Sequence, residues 1–88
     1  MPILALFYGI IIRMYSEPNA VHKKPHIHAI YSGEDAVISF DGEVLEGSLP
    51  ANKLKLVQAW MVIHREDLEA NWELLSKGEQ SFRIDPLK

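Results

Sequence analysis

The chain has 88 residues, 48% of them hydrophobic and 24% charged, with a formal net charge of −3 and no cysteine. Such a length makes one domain, 1–88, of ordinary globular composition, and a core this small would gain from a homodimer or a bound partner. The missing thiols exclude disulfides and thiolate chemistry and suit a reducing cytoplasm. The acidic balance disfavours generic nucleic-acid binding, which relies on Lys and Arg.

The apolar run from Ile3 to Ile12 is short of the ~20 residues a bilayer span needs and has no signal-peptide flanks, so no membrane association is expected. Phe7-Tyr8-Gly9-Ile10-Ile11-Ile12-Arg13-Met14-Tyr15 is rich in β-branched and aromatic residues and predicts a central first strand. Gly9 within it reads as a bulge or a close backbone approach. Ser16-Glu17-Pro18-Asn19 is turn chemistry, and the polar loop continues to Pro25. The charge is uneven: Arg13, Lys23 and Lys24 oppose only Glu17 in residues 1–30, whereas residues 31–88 hold six basic and eleven acidic groups.

A second strand begins at His26, where alternation puts Ile27, Ala29 and Tyr31 on one face and His26, His28 and Ile30 on the other. Ser32-Gly33-Glu34 turns the chain into a third strand that alternates through Phe40. Asp41-Gly42 is a strong hairpin signal leading to a fourth strand, Glu43 to Leu49. Pro50 suits a first helical turn, and Leu54, Val57 and Met61, with Leu56, Trp60 and Ile63, repeat at helical spacing. Leu68, Trp72 and Leu75 continue the repeat to a Lys77-Gly78 stop. One helix over 51–77 would be ~40 Å long, so a break is expected near His64-Arg65-Glu66-Asp67, with Asp67 starting the second helix. Ser81 to Ile84 form a short final strand. The fold class is α+β: an antiparallel four-stranded meander followed by two helices packed on one face.

His26 and His28, side by side about 7 Å apart on a strand, carry the candidate chemistry. Three readings stand. As an acid–base pair they would flank a phosphate in metal-free RNA cleavage, with Arg13 on the neighbouring strand stabilising the developing charge. As a metal site they would need a third ligand, His22 or His64. Or both are structural residues satisfied by local hydrogen bonds. His64-Arg65-Glu66 reads as a helix junction with an Arg–Glu pair, and Trp60 and Trp72 as core aromatics.

Phe7-Tyr8-Gly9-Ile10-x-Ile12-x-Met14, Pro25-His26-x-His28-Ala29, Gly47-x-Leu49-Pro50, Trp60, His64-Arg65-Glu66, Asn71-Trp72 and Ile84-x-Pro86-Leu87 together resemble a widespread bacterial family of small proteins catalogued as a domain of unknown function. The resemblance spans nearly the whole chain. It implies one half of a toxin–antitoxin pair, this chain being the toxin and its cognate partner a small antitoxin-like protein. Joined to the acid–base reading of the residues, it would make RNA the target, with catalytic residues His26, His28 and Arg13 and no cofactor. The alternative is a non-enzymatic interaction module, because the helices offer more apolar surface than one sheet face needs. The loop from Ser16 to Lys24 is longer than the family pattern leads one to expect.

Overall fold

The computed structural model describes residues 3–15 and 24–88. The turn expected at 16–19, the loop beyond it, and with them His22 and Lys23, lie outside the described residues. The remainder is α+β: a five-stranded antiparallel sheet, β1 (Ile3–Phe7), β2 (Ile10–Arg13), β3 (His26–Tyr31), β4 (Glu34–Ser39) and β5 (Val44–Gly47), then helices α1 (Ala51–Ile63) and α2 (Arg65–Ser76). The strands pair in sequence order, β1-β2-β3-β4-β5.

The first strand expected over 7–15 contains a turn: it comprises the last residue of β1, the reversal and β2, and the rest of β1 precedes it. Tyr8 and Gly9 have φ of +49° and +78°, the double left-handed geometry of a two-residue hairpin turn, and Phe7 pairs with Ile10 across it. Gly9 is therefore a turn residue rather than a bulge. The continuous apolar pattern concealed the reversal, because both arms pack on the same core. The irregularity in this hairpin lies instead between Ile3 and Ala5. It lets the consecutive residues Leu4 and Ala5 both be buried, which strict alternation forbids.

Ala5, Phe7, Ile10, Ile12, Met14, Ile27, Ala29, Ala36, Ile38 and Phe40 meet Val57, Trp60, Met61 and Leu68 in one apolar cluster. Trp60 is its largest member, fully buried, and its Nε1–H donates to the Asp85 carbonyl at 2.8 Å. The expected break between helices falls at His64, which belongs to neither. Asp67 does not start α2 but sits in its first turn with Glu66, where negative charge is favourable at the positive helix end. Arg65 pairs with Glu69 at 3.3 Å, one turn on, rather than with Glu66. Gly78 at φ +75° closes α2, with the Glu79 N–H donating to the Leu74 carbonyl at 2.8 Å.

Residues 81–84 form no strand. A single backbone bond, Ile84 N–H to the Leu4 carbonyl at 2.8 Å, ties this segment to β1, and Ile84 adds its side chain to the core. The fully buried Asn71 secures the same segment: its Oδ1 accepts from the Phe82 N–H at 2.7 Å, and its Nδ2 donates to the Asp67 carbonyl at 3.0 Å. Ile63, expected on the core face of α1, is 64% exposed beside Val62 at 79%. Among the described residues no helix is long and apolar enough to cross a membrane.

Gly47 ends β5 at φ +76°, and a Cβ there would lie 2.0 Å from the Asp35 carbonyl oxygen. Gly33, at φ +82°, has nothing within 4 Å of the added carbon. Gly33→Ala is therefore expected to cost strain alone and lower Tm by about 5–10 °C. Gly47→Ala must also force two strands apart, and should lower Tm by at least about 15 °C. Thermal melts of the two variants check the contrast.

Candidate functional site

The sheet register brings the sequence-derived candidates together. Arg13 on β2 lies directly opposite His28 on β3, and His28 lies opposite Val37 on β4, which faces Glu46 on β5. Cross-strand partners share a face, so one row runs Arg13–His28–Val37–Glu46 on the side away from the buried Ile12 and Ala29. His26 stands two residues from His28 on the same side, their ring centroids 5.4 Å apart.

The two imidazoles occupy different environments. His26 is 5% exposed, and its ring rests 5.3 Å from Trp72 of α2. Its Nδ1 lies 2.6 Å from the Lys24 carbonyl. A carbonyl can only accept, so Nδ1 carries the proton, and a neutral His26 has its basic lone pair on Nε2. Pro25 shapes this arrangement, holding the preceding residue extended while the chain enters β3. Its own carbonyl receives the Phe40 N–H at 3.2 Å.

His28 is the more open of the two, with 18% of its side chain accessible. The Tyr15 ring lies against it at 4.5 Å, and the Asp35 carboxylate stands 3.9 Å from its Nδ1. That distance is beyond a hydrogen bond but close enough for a charge to act. Neither Tyr15 nor Asp35 was singled out from the sequence, although both were within reach of it. Tyr15 is two residues past Arg13, hence on the same face of an extended chain. The two-residue turn at Ser32-Gly33 pairs Tyr31 with Glu34, which aligns Asp35 opposite Ile30, one diagonal step from His28.

The rings form a continuous row. Phe40 meets Trp72 at 5.9 Å, Trp72 meets His26, His26 meets His28, and His28 meets Tyr15. His64 is not part of it: its ring lies 5.5 Å from Trp60, at the helix junction, with the Asp67 carboxylate 3.8 Å away. Among the described residues no three His, Cys, Asp or Glu side chains come together as a metal-binding group.

The family model described as a domain of unknown function, DUF4160, matches residues 9–73. The chain belongs to this family. The matched span carries Arg13, both histidines of β3, Asp35 and Trp72, and it ends just beyond the last of these. No curated protein and no solved structure matches the chain at a significant level.

The β4–β5 turn beside the site is held by Asp41. Its carboxylate accepts from the Ser39 hydroxyl, from Lys24 Nζ at 3.2 Å and from the Glu43 N–H at 3.4 Å. These donors, the Ser39 hydroxyl foremost and then Lys24, pull its pKa from 3.8 down to about 2. A folded-state pKa below the unfolded value gives stability that is present above the unfolded pKa and lost as the pH falls through the folded one. Asp41→Asn should therefore unfold at lower urea concentration than the unsubstituted protein at neutral pH. The gap between the two midpoints should close as the pH falls from about 4 to about 2. A gap that stays constant over this range would contradict the network.

Proposed function

We propose that the protein is the toxin of a bacterial toxin–antitoxin pair and acts by metal-free cleavage of RNA at the Arg13–His28 face. The observation that carries this reading is the pairing of a partly accessible imidazole, His28, with Arg13 directly across the strands and with Tyr15 against its ring. Imidazole and phenol are both general acid–base groups, and a guanidinium suits the charge that develops on a phosphate. His28 takes the proton from a ribose 2′-hydroxyl as its oxygen attacks the phosphorus. The 5′-oxygen leaves with a proton supplied by Tyr15, and Arg13 bears on the phosphate oxygens. His26, locked to the Lys24 carbonyl and packed on Trp72, acts as a positioning residue that fixes the plane of His28.

A second reading, a non-enzymatic module that captures a partner protein, is favoured by one observation. Val62 and Ile63 leave adjacent large apolar side chains exposed at the end of α1. The two readings meet if this surface receives the antitoxin.

Induced expression of the chain alone should arrest bacterial growth, and co-expression of its cognate small partner should relieve the arrest. His28→Ala should abolish the arrest in a folded protein, since a general acid or base is worth ~10²–10⁴ in rate. His26→Ala should weaken it less. A folded His26→Ala/His28→Ala protein that still arrests growth fully would replace the catalytic reading with the binding one. Unimpeded growth on expression of the unsubstituted chain, with or without the partner, would remove the toxin reading.

A further inference from the structure

A pocket of about 310 Å³ opens beside the aromatic row, at the lower end of the size range of small-molecule sites. Trp72, Phe40 and Pro25 form its apolar floor. Two ion pairs form its rim, Lys24–Asp41 at 3.2 Å and Arg65–Glu69 at 3.3 Å. Arg65 is fixed further by donating from Nη1 to the Phe40 carbonyl at 2.9 Å, with its guanidinium 5.7 Å from the Phe40 ring centroid.

The rim has both signs of charge and no net one, so neither an anion nor a cation is favoured as the group that enters. A flat ring is favoured, carrying both N–H donors for Asp41 and Glu69 and carbonyl or ring-nitrogen acceptors for Lys24 and Arg65. A nucleobase has that combination. Unpaired bases of single-stranded RNA are held in this way, stacked on aromatic side chains with their edges hydrogen-bonded.

Position supports the same ligand. The Trp72 ring packs against His26, and His26 against His28, so a single ring, that of His26, lies between the Trp72 wall of the pocket and the accessible imidazole. We propose that the Trp72 pocket binds a base of a single-stranded RNA whose backbone continues across Arg13 and His28. This rests on the RNA-directed reading above and adds to it how the substrate is held. Stacking does not depend on net charge, so an acidic chain can grip RNA through bases where it has few cations for phosphates. The salt dependence is then shallow, since each neutralised phosphate of a single strand adds only about 0.7 to the log–log slope.

The test uses the full chain with His28→Ala, which cannot cut, and a labelled six-nucleotide single-stranded RNA of mixed sequence. Expected are saturable binding and quenching of tryptophan fluorescence by the RNA. The quenched residue is Trp72, since Trp60 is fully buried. Adding Trp72→Leu should weaken binding by about tenfold or more, and Trp72→Phe by no more than about threefold, in line with base–aromatic stacking. Equal affinity with Trp72→Leu overturns the pocket assignment. So does binding by the His28→Ala protein without any quench, a measurement that leaves the pocket unaltered. If the unsubstituted protein cleaves the RNA but the His28→Ala protein binds none, the pocket assignment falls and the cleavage reading stands. If the unsubstituted protein neither cleaves nor binds it, both fall.

Discussion

Everything on the candidate face depends on the register of β3. This strand pairs with β2 on one side and β4 on the other, and its side chains alternate without a bulge from His26 to Tyr31. Ile27 and Ala29 are fully buried in the core, and that burial fixes His26 and His28 on the opposite face. A slip of one residue would turn two imidazoles into the apolar interior and two apolar side chains out of it. Exposing a buried Ile costs on the order of 1.5–3 kcal/mol, and burying an imidazole without partners adds several more. The core thus holds Arg13 opposite His28 although neither residue belongs to it.

The same strand makes the two histidines unequal. His26 is the first residue of β3, at the end of the sheet that α2 reaches with Trp72, so it is covered by that ring and tied to the Lys24 carbonyl. His28 lies two residues further on, in the row of Arg13, Val37 and Glu46, and keeps part of its ring accessible. One imidazole is anchored and the other presented. That division suits a site in which one ring reacts and the other orients it, and His26 bridges the presented ring to Trp72 and its pocket.

Much of the fold was legible in the sequence because local rules and tertiary packing agreed there. The period-2 pattern of 26–31, the Asp41-Gly42 turn, the polar break at His64 and the glycine stop at Gly78 each signal one outcome. The extra strand was concealed because the run from Ile3 to Ile12 is apolar on both arms of the hairpin, leaving Gly9 as the sole punctuation, and a lone glycine does not distinguish a turn from a bulge. The final segment misled in the opposite way. Ser81 to Ile84 have strand-like composition, but Asn71 and Trp60 capture their backbone and that of Asp85 from the helices, which takes the place of a sheet partner. At the site, the shared face of the histidines followed from alternation alone. The burial of His26 did not, because it is imposed by Trp72, a residue 46 positions away in sequence. Asp35 joins His28 through a pairing that becomes readable once the turn at Ser32-Gly33 is assigned, whereas Tyr15 follows from its two-residue spacing to Arg13 and the pairing of Arg13 with His28.

The central claim, that His28 initiates metal-free transfer at the Arg13 face, is tested most directly by the chemistry of the RNA ends. Purified protein should be incubated with single-stranded RNA in the presence of excess EDTA and the products resolved by mass. Attack by the 2′-oxygen requires 2′,3′-cyclic phosphate and 5′-hydroxyl ends, and their formation should be lost with His28→Ala. Products ending in 3′-hydroxyl and 5′-phosphate groups, or cyclic-phosphate products formed equally well by the folded His28→Ala protein, would contradict it.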